Sequence, residues 1–321
     1  MKVKNSRPGR YASARLPQFR PNHPLFEPSG VEKLSDGLMR QFPQRDLIPM
    51  KPREPLRISP AMAFLAVLPV LSVLALCASA AAAETRLKVK YGVSISGFPV
   101  ASAYLNYVLD GKGYTVTGSA RTIGIVRLIS NGRGKVSATG RRHGSHLVPA
   151  AFSYEITDDG DRETLKMAFV GNRVGKIEID PPENPKKLKR RVPLKRSHKV
   201  GVLDPLSALF IPAGADTVCD RTLSIFDGGQ RYDLVLTRKR TDRFRGGGKN
   251  FKGRVVVCAI SYRPIAGHRA NKREVKYMQR NSSMEIWMAP IGDTGIMAPV
   301  IARLNTQIGK LVIRAKRYQL Q

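Results

Sequence analysis

The chain is 321 residues long, enough for one large or two modest domains with a substantial core. Its formal net charge of +31 at pH 7 says nothing about fold but implies attraction to polyanions: nucleic acid, anionic lipid headgroups or acidic glycans. The compartment decides among these, and the amino terminus points to one.

Residues 1–49 are rich in Pro and Arg and carry no sustained apolar period, so they are expected to be a disordered extension; Met50 is a plausible alternative start, which would make residues 1–49 an over-long gene start. From Ile58 to Ala83 there is no charged residue. Lys51, Arg53 and Arg57 precede an apolar core (Ala61 to Ala80), and Ala81, Ala82 and Ala83 follow it. A basic flank, an apolar core and a small-residue exit predict a signal peptide over residues 50–83, with cleavage after Ala83. The alternative is an uncleaved membrane anchor, since the tract is long enough to span a bilayer. Leu76 stands before Cys77 where a lipidated cysteine has a small residue, so no lipid anchor is expected. Either way residues 84–321 lie outside the cytoplasm, because the positive flank stays inside. That part holds 43 Lys and Arg against 19 Asp and Glu, so the basic character belongs to it. Anionic lipid or an acidic envelope polymer is then the expected partner. Nucleic acid is not expected, and the chain has no helix-turn-helix pattern, paired Cys/His finger or aromatic RNA-binding strand.

Strand signals begin at once. Leu87, Val89, Tyr91, Val93 and Ile95 alternate with Lys88, Lys90, Gly92 and Ser94, a period of two. Val100 to Leu109 and Tyr114 to Ala120 flank Asp110-Gly111, a hairpin signal because both central turn positions need positive φ. Thr122 to Ser130 has apolar residues at helical spacing and predicts a short helix. Strands follow at Gly134 to Arg141, Leu147 to Thr157, Glu163 to Val170 and Val174 to Asp180. Their even spacing predicts an antiparallel meander. Residues 181–199 hold four prolines and eight basic residues without periodicity, and read as a loop. Asp204 to Phe210 predicts a second short helix, with Asp204 as N-cap and Pro205 first in the helix. Thr222 to Phe226 and Arg231 to Thr237 form a hairpin around Asp227-Gly228. Arg254 to Tyr262 is strongly β-branched and ends before a turn at Pro264 to His268. The last strands are Ser283 to Met288, Val300 to Thr306 and Leu311 to Tyr318; Trp287, the single tryptophan, is expected in the core.

Cys219 and Cys258 are 39 positions apart in an oxidising compartment, so a disulfide is expected, with two buried free thiols as the alternative. Chain entropy gives such a bridge about 4 kcal/mol. The residues offer little chemistry otherwise. His143 and His146 lack a third ligand and sit beside Arg141 and Arg142, so no metal site is expected; no cofactor is called for either. There is no G-x-S-x-G elbow, and Gly246-Gly247-Gly248-Lys249 lacks phosphate-loop spacing and reads as a hairpin tip. The concentrated feature is the basic loop. Lys186, Lys187, Lys189, Arg190, Arg191, Lys195, Arg196 and Lys199 are candidate contacts to a polyanion, or simply a solvated loop.

An opening strand with Tyr91, the Asp204-Pro205-Leu206 helix start, the hairpin Phe226-Asp227-Gly228 with Tyr232-Asp233, the Cys258 strand ending in PIAGH and a late Trp287 strand together resemble the exported bacterial family of domain of unknown function 3108. The resemblance runs from Leu87 to Tyr318. It implies a secreted or periplasmic β-protein and carries over no catalytic residues.

The expected fold is all-β: one strongly curved antiparallel sheet forming an open or closed barrel, with one or two short helices, in a single domain over residues 84–321. A two-sheet sandwich is the other candidate. The expected function is a non-enzymatic envelope protein that binds an amphipathic or small apolar ligand on its sheet and anionic surfaces through its loop. A structural or assembly partner in the envelope, and a hydrolase or glycan-acting enzyme, are the alternatives.

Overall fold

The structure, a computed structural model, describes residues 84–111, 113–128, 130–246 and 251–321. The predicted extension (1–49), the predicted signal peptide (50–83) and most of the Gly246–Lys249 tip lie outside them.

Fourteen strands form one sheet: β1 (Thr85–Ile95), β2 (Phe98–Asp110), β3 (Gly113–Thr122), β4 (Arg133–His143), β5 (His146–Asp158), β6 (Asp161–Val170), β7 (Arg173–Asp180), β8 (Ile211–Pro212), β9 (Arg221–Phe226), β10 (Arg231–Arg245), β11 (Lys252–Ala266), β12 (Glu285–Pro290), β13 (Ile296–Thr306) and β14 (Gly309–Leu320). Their order is β7-β6-β5-β4-β3-β2-β1-β14-β13-β12-β11-β10-β9, with β8 beside β13. Every pairing between these strands is antiparallel. The predicted meander is therefore present twice, as β1–β7 and β9–β14, and the pairing of β1 with β14 makes the two runs one sheet. It is a single curved sheet, open rather than closed, and not a sandwich. Register shifts such as those at Lys90/Tyr91, Thr139/Gly140 and Trp287/Met288 mark bulges, which add the twist that curls it.

Period-two alternation gives the sheet two unlike faces. One face carries a cross-strand row of Leu87, Tyr107, Val116, Ala138, Phe152 and Met167, each 5 % exposed or less. Against this row packs the segment 202–210. The Phe210 ring stacks on Tyr107 at 4.3 Å, and Ser207 Oγ meets Tyr114 OH at 2.7 Å. Asp204 caps the segment as predicted: its Oδ1 accepts from the N–H groups of Leu206 (3.0 Å) and Ser207 (2.8 Å). The predicted helix is only a 3-10 turn, Ser207–Leu209, because the chain at once enters β8.

Residues 200–203, at the start of this segment and just before it, also join the two edges of the open sheet. Val200 bridges to Arg173 of β7 and Leu203 to Ile225 of β9. Hydrogen bonds from Gly201 N to Asn172 O (2.7 Å), from Leu203 N to Ser224 O (2.8 Å) and from Phe226 N to Leu203 O (2.9 Å) complete the seam.

Cys219 and Cys258 are bonded, with Cα atoms 5.7 Å apart, which settles the choice between bridge and free thiols. The bridge sits in a second apolar cluster with Val218, Leu223, Ile225, Val256 and Met288.

Several local expectations need correction. Thr122–Ser130 is not a regular helix: β3 runs through Thr122 and a 3-10 turn covers Gly124–Leu128. β10 runs on to Arg245, and β11 passes through Pro264, which falls at a register shift where a missing N–H is tolerated. Two helices were not expected, α1 (Pro185–Leu188) and α2 (Arg273–Arg280). Trp287 is buried as expected, but between charges: the guanidinium groups of Arg240 and Arg303 lie 5.2 and 4.7 Å from its ring.

Candidate functional site

The hairpin motif makes a junction. Phe226 is fully buried, and Asp227 Oδ1 accepts from the N–H groups of Gly229 (2.9 Å) and Gln230 (2.6 Å). Asp227 N donates to Gln230 O at 3.1 Å, closing the turn. An aspartate is needed because its short carboxylate reaches the backbone two and three residues on. A glycine is needed next because φ is +101° at Gly228 and a Cβ there would run into the Leu165 side chain of β6. Tyr232 packs against Tyr262 at 5.5 Å between ring centres. Asp233 pairs with Arg231 at 2.7 Å and accepts from Ser224 Oγ at 3.0 Å. Each motif residue thus has a structural role.

Against this turn lies the end of β11. Gly267, at φ +79°, places its Cα side against the Gly229 carbonyl, closer than any Cβ would permit. Next, the predicted basic loop is tied to the same point. Val192 N donates to His268 O (2.9 Å) and Gly267 N to Val192 O (2.8 Å). Arg191 makes a two-pronged ion pair with Glu183, at 3.0 and 2.7 Å, with both side chains about one-fifth exposed. The result is a pocket of about 430 Å³ whose walls include Tyr154, Glu183, Arg191, Asp227, His268 and Lys272.

Of the pocket's titratable groups, Arg191 pairs with Glu183 and Tyr154 with Glu163, Asp227 is held by backbone, and His268 Nδ1 is buried without a partner among the described residues. Burial pushes the Asp227 carboxyl up, opposed by its two backbone hydrogen bonds. Burial pushes the His268 imidazole down, favouring its neutral form. The Tyr154 hydroxyl donates to Glu163 at 2.5 Å, and burial raises its pKa. Among the described residues no group of three or more His, Cys, Asp or Glu side chains has metal-site geometry.

The structure divides the eight predicted polyanion contacts. Lys186, Lys189, Arg190, Lys195 and Arg196 are exposed. Arg191 faces inward to Glu183, and Lys199 lies over the Phe226 ring, 5.7 Å from its centre. The Lys187 side chain lies outside the described residues. Sequence reasoning also missed a second basic element. In α2, Arg273, Lys276 and Arg280 are exposed, and Arg269 and Lys272 lead into it. Their spacing (269, 272, 273, 276, 280) is that of one helix face, a signal that was available in the sequence. The hydrogen bonds between Val192 and residues 267–268 bring the basic loop beside the turn that leads into α2.

No functionally curated protein matches the chain. A crystal structure described as a β-barrel-like protein of domain of unknown function DUF1849 from Brucella abortus is similar over 74 % of this chain and 98 % of that one, at 10 % identity and a TM-score of 0.41. The model of the family described as protein of unknown function (DUF3108) matches residues 87–316, covering the opening strand, the motif hairpin, the junction beneath it and most of β14, and the chain belongs to that family.

Proposed function

We propose that this is an exported envelope protein that works by binding rather than catalysis, docking on anionic surfaces through the combined face of the 181–199 loop and the α2 segment. The observation that carries the reading is the joining of two basic elements by the Val192 hydrogen bonds to residues 267 and 268. Five loop cations and three on α2 are exposed, and on this reading they act together. Each Lys or Arg near an anionic membrane contributes about 1 kcal/mol, so several acting together give measurable binding where one would not. Segment 202–210 packs on the sheet's apolar row, which argues against a small apolar ligand there.

Co-sedimentation with phosphatidylglycerol vesicles tests this, with phosphatidylcholine vesicles as reference. Binding to the anionic vesicles alone, weakened by salt, is the expected result. Replacing Lys189, Arg190, Lys195 and Arg196 by Ala should reduce it about a hundredfold or more. Equal binding to both vesicle types, or none at low salt, would refute the electrostatic docking.

A further inference from the structure

The face of the sheet opposite the apolar row holds a cleft of about 1090 Å³, lined by residues of every strand from β14 through β1 to β7. The lining comes from eight adjacent strands. Two cross-strand rows supply it. The first runs through Gln319, Lys88, Asn106 and Thr117, and the second through Arg317, Lys90, Tyr104 and Ser119. Further along, Ser137 and Ser153 continue the first row and share a hydroxyl hydrogen bond at 2.9 Å, while Lys135 continues the second. At about 4.8 Å per strand step, the lining extends roughly 34 Å along the sheet. Its volume lies at the upper end of the range for small-molecule sites. This shape suits an elongated ligand better than a compact one.

Its chemistry is that of hydroxyls, amides and cations. Lys88, Lys90, Lys135, Lys166 and Arg317 line the cleft and make no salt bridge with any described residue. Of the lining carboxylates, Glu155 is held by Arg162 at 2.9 Å and Glu178 by Lys176 at 2.6 Å, leaving Asp180 to oppose five cations. Tyr104 is 45 % exposed, with the Lys90 ammonium 5.5 Å from its ring centre. Exposed Arg121 and Arg133 carry the positive potential into an adjoining pocket beside Tyr104 and Lys135. An acyl chain would find little here, because the apolar residues between the rows (Val89, Leu105, Val136) alternate to the other face and present backbone to the cleft.

We infer that the cleft is a binding site for an anionic oligosaccharide. Sugar hydroxyls match the Ser, Thr, Asn and Gln ladder, a pyranose face packs on Tyr104, and acidic groups pair with the unmatched lysines and Arg317. The site is separate from the loop and α2 surface and stands whether or not that surface binds membranes.

Titration calorimetry on the purified protein tests it with a galacturonate octamer, the neutral galactose octamer and inorganic phosphate as probes. The acidic octamer should bind at least tenfold more tightly than the neutral one, with inorganic phosphate weaker than either. Lys90→Ala with Lys135→Ala, and separately Tyr104→Ala, should each weaken the acidic octamer about tenfold while the Cys219–Cys258 bridge and thermal unfolding stay as in the wild type. Lys189→Ala with Lys195→Ala should leave it unchanged. Equal affinity for the two octamers, no binding of the acidic one, or loss on the loop variant but not the cleft variants would each overturn the assignment.

Discussion

Gly267→Ala probes the junction between the motif turn and the basic loop. The residue has φ +79°, and a Cβ built on it falls far inside contact distance of the Gly229 carbonyl oxygen and 2.9 Å from Gln230 Cα. Left-handed backbone alone costs a non-glycine residue about 1–2 kcal/mol. The clash adds more, because its partner is backbone and cannot rotate away. The two turns must separate, which strains the Val192 hydrogen bonds at about 1 kcal/mol each. The sum is about 4 kcal/mol. Gly144→Ala is the control: φ is +57° there too, but nothing lies within 4 Å of the added Cβ, so only the strain of about 1 kcal/mol remains. Urea unfolding of both variants measures the difference, and limited trypsin digestion should cut the Lys- and Arg-rich loop faster in Gly267→Ala alone. Equal loss of stability within about 0.5 kcal/mol would refute the close-packing argument.

Other outcomes follow from the same structure. Reducing the Cys219–Cys258 bridge, or replacing both cysteines by Ser, opens a crosslink of sequence separation 39 and should cost about 4 kcal/mol. For a domain of this size that lowers the thermal midpoint by roughly 8–16 °C, and an unchanged midpoint in calorimetry would contradict it. Glu285 gives an acid-dependent effect. Burial alone would push its carboxyl up, but hydrogen bonds from Lys239, Trp287 and Arg240 outweigh it and bring it down to about 2. A depressed carboxylate contributes stability above its unfolded pKa and loses it as pH falls toward 2. The stability gap between wild type and Glu285→Gln should therefore be widest near neutral pH and close below pH 4.5, as acid titration of the unfolding free energy would reveal. Glu183→Gln leaves Arg191 half-paired in a site about one-fifth exposed, and should cost about 1–3 kcal/mol in urea unfolding with faster hydrogen exchange at Val192.

Much of the architecture was readable because alternation is a local signal. Lys88 and Lys90 between Leu87, Val89 and Tyr91 announce a strand with one dry face, and Asp227-Gly228 announces its turn. The charged stretch Arg238 to Arg245 hid the length of β10, since a bulge near Lys239 breaks its alternation and only Phe244 returns to the core. Helix α2 was missed because its stripe is basic rather than apolar. The pairing of β1 with β14 joins residues more than two hundred positions apart, and no local pattern encodes it. The polar cleft was out of reach for the same reason. Its lysines come from β1, β4 and β6, and only strand order and register bring them to one face. In the loop, charge can be read from composition but orientation cannot: Arg191 pairs with Glu183 and Lys199 lies over the Phe226 ring.

Strand β14 lies between β1 and β13, so residues Gly309–Leu320 are the keystone of the sheet rather than its edge. A chain emerging amino end first must hold β1 with one side unpaired until β14, more than two hundred positions later, arrives, and only then can the two meanders fuse. Completion of the sheet thereby waits on β14, and until it pairs the partly built sheet is open to proteases and to holding factors. Removing β14 would leave two half-sheets, each with a raw seam where the middle of the molecule should be.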